Sequence, residues 1–569
     1  MDSISNKDVV KTLKQLSGLL ELHQKEDHKI KAINNATFNL ERLNYTLASK
    51  KGDDIAAIQG IGKSLAQDIN HILETGTHPM LVSLEAETPK GVLKISELKG
   101  IGAKKVRSLW KDLGILSMEA LKLACNENKV SKLKGFGAKT EENILQQIAF
   151  INQHIGSVHL NQAMEVAQEL LPLIQAICNN AAITGAIRRR ASTLDKIEII
   201  AAGTDAKKME ELITSSNSFE LQPSTCGPFT TRAIHVTSQV SVHIHLCSEP
   251  SFYNEWMRTT ARARHLYGVK KEGLTLQKLL KQNTFSSEEA MYEALEFPYI
   301  EPELREGSFE LNYSKESPPP QLLKLTDLKG PLHNHSTYSD GVNTLEDMAV
   351  WCKEQGYEYL GISDHSQSAF FYANGLFEEN IIEQHKEIDA LNKELAPFKI
   401  FKGIESDILA DGSLDYSKDV LERFDFIVAS IHSGMKMEIE KATERLITAI
   451  SNPYTTILGH PTGRLLLKRA GYPIDHKKVI DACAQYNVAI EINSNPWRLD
   501  MDWTWVHYAL EKGVVLSINP DAHIIKGFDD MQFGVMTGRK GGLTPAQTMN
   551  AWSGSDLEAY FEKRKSSIS

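Results

Sequence analysis

Nine side chains suited to metal ligation recur through the last third of this 569-residue sequence: His333, His335, Asp340, His365, Glu405, His432, His460, Asp521 and His523. They fall at or just after apolar runs that read as strands, among them Tyr359–Ile362, Ile400–Ile404, Phe426–Ile431, Thr456–Leu458 and Val514–Ile518. His333 and His335 stand two apart, a spacing that on a strand turns both rings to one side. Mixed imidazole and carboxylate donors suit Zn²⁺, Mn²⁺ or Fe²⁺ better than Mg²⁺. Ions held in this way lower the pKa of bound water toward neutrality and neutralise oxygens on phosphorus. The expected chemistry is therefore hydrolysis of a phosphate ester with no covalent nucleophile. Within the set, Glu405 is the candidate catalytic carboxylate, bridging ions. Arg464, in His460-Pro-Thr-Gly-Arg464, is the candidate holder of substrate phosphate. Asn493 and Arg498 are further candidates for that task, whereas His385 and His507 fit no place in the scheme and read as structural or exposed.

Residues this far apart in sequence meet only if the elements before them share an open end. In a barrel of parallel strands the segments that follow the strands all open on one face. The succession His333-Asn-His335, Ser363-Asp364-His365, Gly403-Ile-Glu405, Ser430-Ile-His432, Gly459-His460-Pro461, Glu491-Ile-Asn493-Ser-Asn495-Pro-Trp-Arg498 and Asp521-Ala-His523 resembles the polymerase-and-histidinol-phosphatase (PHP) domain over residues 330–552. That resemblance implies a distorted (β/α) barrel with a trinuclear centre of Mn²⁺ and/or Zn²⁺. Pro331 departs from the pattern, since relatives often carry an aspartate just before the first histidine pair.

In the first third an apolar-x-Gly-apolar-Gly pattern appears three times: Ile58-Gln-Gly60-Ile-Gly62-Lys63, Leu98-Lys-Gly100-Ile-Gly102-Ala-Lys104 and Leu133-Lys-Gly135-Phe-Gly137-Ala-Lys139. Glycines permit a tight turn and close approach of backbone to a ligand. The helix expected after each turn offers free N–H groups to a phosphate, and each lysine can add a cation. The pattern resembles the helix-hairpin-helix element, which implies sequence-independent contact with the DNA backbone.

In the middle third, Thr184-Gly185-Ala186-Ile187-Arg188-Arg189-Arg190 through Asp195-Lys196-Ile197-Glu198 resembles the nucleotidyltransferase signature of family X DNA polymerases. The stretch Ser286–Gly307 resembles the thumb of the same family. In that family an Asp-x-Asp pair and a third aspartate hold two Mg²⁺ ions. Here Ala186 replaces the serine of the Gly-Ser turn, Lys196 and Glu198 occupy the Asp-x-Asp positions, and His243 stands where the third aspartate belongs. A lysine where two cations must sit argues against Mg²⁺ in the palm and for a polymerase module that is silent or very weak. Arg188, Arg189 and Arg190 could still grip DNA. A competing reading has Asp195 or Asp205 restoring the site.

The bulk numbers fit a soluble multidomain protein. Residues are 41% hydrophobic and 24% charged, and the net charge is −10. The charge divides unevenly: residues 1–150 hold 22 Lys+Arg against 18 Asp+Glu, and residues 331–569 hold 23 against 34. A basic N-terminal third suits a polyanion partner. Six scattered cysteines without Cys-x-x-Cys, no ~20-residue apolar run and no signal-peptide core lead to the expectation of a reduced, cytoplasmic protein without membrane association. The expected architecture is multidomain, α+β and α/β. It comprises an all-α helix-hairpin-helix region over 1–150, palm and thumb over 151–310, a linker over 311–329 with Ser317-Pro-Pro-Pro320, and the PHP barrel over 330–569. The whole resembles bacterial family X DNA polymerases that carry a PHP domain. This implies 3′–5′ exonuclease action on gapped, nicked or 3′-ended DNA, linked to base-excision repair. Gap-filling polymerase, histidinol-phosphatase-type enzyme and non-catalytic scaffold are the alternatives; protein partners are not legible.

Overall fold

Apolar residues at helical spacing organise the first 153 residues, and in the computed structural model the unit Met1–Gln153 contains helices alone among its described residues. The structure describes residues 4, 6–40, 43, 47–50, 53–98 and 100–568. Helix Asn6–His23 buries Val9, Val10, Leu13, Leu16 and Leu20, the i, i+3, i+4 stripe of an amphipathic helix. No helix among the described residues is long and apolar enough to cross a membrane.

The second unit, His154–Ser569, holds two larger sheets. The first has strands β1 (Asn180–Thr184), β2 (Lys196–Ala202), β3 (Phe219–Leu221), β4 (Thr230–His235) and β5 (Ser241–Cys247), in the order β1-β2-β5-β4-β3. Strands β2 and β5 are parallel and the other pairs antiparallel. Alternation along β5 sends Val242, Ile244 and Leu246 into the core and leaves His243 and His245 on the opposite, half-buried face. Helices Leu160–Gln175 and Ala206–Ser215 contribute to that core. A separate cluster around Met257, Met291, Tyr292 and Leu304 forms the thumb-like part.

The second sheet has six parallel strands, each paired with its neighbour in sequence: β6 (Tyr359–Ile362), β7 (Lys399–Asp407), β8 (Phe426–Ser430), β9 (Ile457–Leu458), β10 (Ala489–Asn493) and β11 (Leu516–Asn519). Helices pack between successive strands, as parallel connections require. The segment expected to be a strand around His333 is instead irregular, with one bridge residue, Asn334, opposite Ala522. Its backbone bonds on both sides. Gly361 N–H donates to Pro331 O at 2.8 Å, Ser363 N–H to Asn334 O at 2.9 Å, and His335 N–H to Ala522 O at 2.9 Å. This segment therefore ties the first strand to the loop after the last and closes a distorted barrel.

The proline-rich stretch read as a linker is an ordered strap rather than a free tether. Leu322, Leu323 and Leu328 are buried, and Leu323 N–H donates to Leu543 O at 2.9 Å. Leu323 and Leu328 pack in the barrel core, and Leu322 in the thumb-like cluster.

Candidate metal centre and nucleic-acid contacts

Strand β7 carries Glu405 into the open end of the barrel, where the carboxylate is buried among five imidazoles. Its Oε1 lies 3.3 Å from His333 Nε2, 3.2 Å from His432 Nε2 and 3.1 Å from His460 Nε2. Its Oε2 lies 2.9 Å from His365 Nδ1 and 3.7 Å from His335 Nε2. Asp521 Oδ1 sits 3.1 Å from His335 Nε2, and Asp340 Oδ1 sits 3.1 Å from His523 Nε2. All nine residues singled out from the sequence thus converge on one cluster. They form three overlapping groups with ligand geometry: His335, Asp340, His365 and His523; His333, His335 and Asp521; His365, Glu405 and His432. His460 joins them through Glu405.

The donor set fits divalent ions. Buried Nε2 of His333, both ring nitrogens of His335 and His460, Nδ1 of His365, Oδ1 of Asp340 and both oxygens of Glu405 lack hydrogen-bond partners. So many orphaned polar atoms in one place are costly for protein alone, and cations satisfy them. Burial opposes charge on Glu405, yet His432, His333 and His365 override it and hold the carboxyl well below its usual range. Burial also opposes charge on His432, but Glu405 and Asp407 raise it to about 10. At His335 burial wins, helped by His523 and His365, and the ring is lowered to about 3.

Three carboxylates that the sequence reading did not assign hold the cluster from behind. Glu491 Oε1 is 2.7 Å from His333 Nδ1, and its Oε2 accepts the His460 N–H at 2.7 Å. Asp407 Oδ1 is 2.5 Å from His432 Nδ1. Asp364 accepts from Ser336, Ser339 and Gln384 and so fixes the loop leading to Asp340. Each fixes a ring or loop that carries ligands. Asp407 was legible in principle, being two residues from Glu405 on one strand and so on the same side.

Arg464 does not join the cluster, which corrects the expectation that it holds phosphate. Its Nη1 pairs with Asp502 Oδ2 at 2.6 Å and its Nε donates to Arg498 O at 2.9 Å, so the guanidinium ties loops together. Arg498 is the nearer cation, its Nε 3.9 Å from Asp521 Oδ2. Asn493 Nδ2 donates to the same oxygen at 3.1 Å. His385 packs edge-on to Phe424, and His507 stacks on Phe309, both away from the cluster.

On the five-stranded sheet, Glu198 lies between Lys196 Nζ at 3.0 Å and His245 Nε2 at 3.3 Å. Burial alone would raise its pKa, but His245 and Lys196 lower it to about 2. His243 pairs in register with Glu198 on one side and Arg232 on the other. The face that would need three carboxylates thus presents one, surrounded by groups that are cationic or can become so. Gly185 has φ +66, and its missing Cβ leaves the space that the Glu198 carboxylate fills. Ala186 is half-buried against the sheet core. Asp205 caps helix Ala206–Ser215 by accepting from Lys208 N–H, and Asp195 is exposed.

The arginines read as a DNA grip are also committed, which corrects that reading. Arg188 forms a paired contact with Glu288 at 2.8 and 2.7 Å and lies 3.5 Å over the Trp256 ring. Arg189 donates to Glu306 at 2.9 Å, and Arg190 is half-buried beside Met164. The carboxylates that claim Arg188 and Arg189 lie 100 or more residues downstream, beyond the reach of local pattern.

In the first unit, Gly60, Gly100 and Gly135 have φ of +83, +79 and +86, the left-handed conformation that the turn requires. Gly62 and Gly102 have ordinary extended φ, and each precedes a helix, Lys63–Thr75 and Ala103–Lys111, with no side-chain cap. A Cβ on Gly62, Gly102 or Gly137 would meet nothing within 4 Å. The protein itself has no steric need for glycine there. Lys63, Lys104 and Lys139 are exposed beside these turns.

Comparison with known proteins agrees with this layout. The chain matches models for a helix-hairpin-helix domain over residues 4–78, a SAM-like helix-hairpin-helix tandem over 92–149, a DNA polymerase beta thumb over 250–306 and a PHP domain over 331–495. It is 36% identical to the DNA polymerase/3′-5′ exonuclease PolX of Bacillus subtilis (strain 168), over 98% of this chain and 99% of that protein. A protein named "Probable phosphatase" from Thermoanaerobacter sp. (strain X514) is 26% identical over 41% of this chain and 94% of its own length. Another of that name from Caldicellulosiruptor bescii is 32% identical over 29% of this chain and 64% of its own length.

Proposed function

We propose, for a chain that belongs to the PolX family of DNA polymerase/3′-5′ exonucleases, that its activity is metal-dependent hydrolysis of phosphate esters at DNA 3′ ends. The barrel, residues 330–569, carries that chemistry. Residues 1–150 hold the DNA backbone through Gly60, Gly62, Lys63, Gly100, Gly102, Lys104, Gly135, Gly137 and Lys139. Residues 151–310 form a palm and thumb that no longer transfer nucleotides. The observation that carries the reading is the convergence of nine ligand side chains, with orphaned donor atoms, at one end of the barrel.

Mn²⁺ and/or Zn²⁺ held by His333, His335, Asp340, His365, Glu405, His432, His460, Asp521 and His523 would supply a hydroxide near neutral pH and neutralise phosphate charge. The chain's own residues set the geometry. Glu405, central to the groups, keeps the imidazoles at fixed spacing. Glu491 and Asp407 fix the orientation of His333 and His432. Arg498 and Asn493, both beside Asp521, are the groups that would hold a phosphate oxygen. End trimming of this kind serves base-excision repair on gapped, nicked or 3′-ended DNA.

The test uses one primer–template with a 5′-labelled primer and Mn²⁺ or Zn²⁺, with and without deoxynucleotides. The expected result is a shortened primer with the parent chain, none with His333→Ala, and no extension with either. Extension that survives in His333→Ala would restore the polymerase reading and overturn the account of Lys196, Glu198 and His243. Hydrolysis of small phosphomonoesters but of no DNA end would favour the phosphatase reading.

A further inference from the structure

The loop that follows His365 places aromatic rings beside the metal centre where a phosphatase for small polar substrates would have no use for them. It leaves the barrel at Gln367 and returns at Leu376, whose N–H donates to His365 O at 2.8 Å. Polar bonds hold the excursion in place. Gln367 N–H donates to Tyr416 Oη at 3.1 Å, Ser368 N–H to Asp415 Oδ2 at 2.6 Å, and Tyr372 Oη to Asp407 Oδ2 at 2.9 Å. Asp407 is the residue that orients His432, so the loop is bonded directly to the centre. The Tyr372 ring lies 6.4 Å from the His365 ring and 6.3 Å from the His432 ring.

On this fixed loop Phe371 is 77% exposed, more than any other large hydrophobic residue among those described. Its ring meets Phe370 edge-on at 5.5 Å, and Phe370 packs on Phe377. Tyr372 and Phe377 are also exposed, and Tyr372, the next residue along the loop, is the one whose ring reaches the candidate ligands. A phenyl ring kept in water on an anchored loop has its face free for a flat apolar partner. A nucleic-acid strand with a phosphate at the ligands carries such a partner within one nucleotide: its terminal base. Every base has a π-face, so stacking on an aromatic ring selects nucleic acid without selecting sequence.

We propose that Phe371 is a specificity-determining residue that stacks on the 3′-terminal base and holds the unpaired end over the metal centre. This inference rests on the nuclease reading above and names the feature of the substrate that the site recognises. Phe371 is not one of the nine candidate ligands, so its role is in substrate binding and not in the hydrolytic step.

The test compares, on the full chain with Mn²⁺, two single-stranded oligonucleotides that differ only in whether the 3′-terminal nucleotide bears a base or a tetrahydrofuran abasic analogue. The parent is expected to show a KM for the base-bearing end lower by roughly tenfold to a hundredfold. In Phe371→Ala the two KM values converge, by a rise at the base-bearing end. Phe371→Trp restores the difference, and Phe371→Leu, apolar but without a π-face, does not. A terminal 2-aminopurine is quenched on binding to the parent and not to Phe371→Ala. A ratio that does not depend on residue 371, or a parent that treats both ends alike, overturns this inference alone. A chain that shortens neither oligonucleotide overturns the nuclease reading, and this inference with it.

Discussion

At the scale of single residues, the centre separates side chains that would touch an ion from side chains that aim them. His333 is gripped from both ends, by Glu491 at Nδ1 and by Glu405 near Nε2. Removing the ring in His333→Ala is expected to abolish hydrolysis, while DNA affinity in a gel-shift assay stays within about twofold of the parent. Glu491→Gln keeps the shape but loses the charge that orients His333. A drop of 10- to 100-fold in activity or metal affinity is expected, measured by metal titration alongside the primer assay. Glu198→Ala, on the other sheet, is expected to leave hydrolysis unchanged, because its partners Lys196 and His245 belong to no ligand group. Six of the nine residues could be read in order because they lie on or just after a strand, whereas His333, His335 and Asp340 lie on irregular chain before the first strand of the barrel. Glu491 and Asp364 could not be singled out in the same way, since a supporting carboxylate follows no spacing of its own; only Asp407, two residues from Glu405 on one strand, carried such a signal. Arg464 shows the converse. Its closeness to His460 in sequence suggested phosphate binding, and Asp502, 38 residues on, claims its guanidinium.

At the scale of elements, the three hairpins distinguish two uses of glycine. Gly60, Gly100 and Gly135 are conformational, and Gly62, Gly102 and Gly137 leave room. Gly60→Ala is therefore expected to destabilise the first unit by about 1–2 kcal/mol through the left-handed penalty, seen as a lower melting temperature. Gly62→Val combined with Gly102→Val is expected to keep the fold and weaken DNA binding at least tenfold, since the new side chains meet only an incoming backbone. Lys63→Ala, Lys104→Ala and Lys139→Ala should each lower the slope of log affinity against log salt by about 0.9 if each lysine contacts one phosphate of duplex DNA. A slope equal to the parent's in the triple variant would remove the hairpins from the interface. The hairpins were legible because a tight turn before a helix has a short, strict sequence form. The segment around His333 was not read correctly as a strand. It closes the barrel by bonding to Gly361 and Ser363 on one side and Ala522 on the other, and only the closed barrel creates those partners.

At the scale of the second unit, palm, thumb and barrel are joined through buried charge. Lys540, 1% exposed, donates to Arg189 O at 2.9 Å and pairs with Glu306 Oε1 at 2.5 Å, and Arg539 pairs with Glu303 at 2.6 Å. Arg305, fully buried, pairs with Glu288, which also holds Arg188. Burial would raise the pKa of both carboxyls. Arg305 and Arg188 lower Glu288 to about 2, and Lys540 and Arg189 lower Glu306 to about 2, against an ordinary 4.5. Their contribution is therefore complete above the unfolded value and is lost as pH falls from about 4.5 toward 2, on the order of 3 kcal/mol for each carboxylate. Thermal melts are expected to show the second unit losing stability steeply across that window. Glu288→Gln is expected to be less stable than the parent at neutral pH and to have a flatter pH dependence. A melting curve indifferent to pH between 5 and 3 would contradict this.

The sequence alone determined which residues could ligate ions, where glycine turns precede helices, and that the palm face carries Lys196, Glu198 and His243 in place of three carboxylates. These are local properties: side-chain chemistry, spacing along one element, and the register of short motifs. The tertiary structure decided which cations are free and which are spent. Arg188, Arg189 and Arg464 look alike in sequence to any phosphate-binding arginine, but each has a carboxylate brought to it from 38 to 117 residues away. It also decided that Leu323 and Leu328, after the proline run, are buried in the barrel core and that Phe371 stands exposed next to Tyr372, whose ring lies near His365 and His432. Charge pairing and exposure depend on distance in space, and in a closed barrel that distance is set by which strands become neighbours.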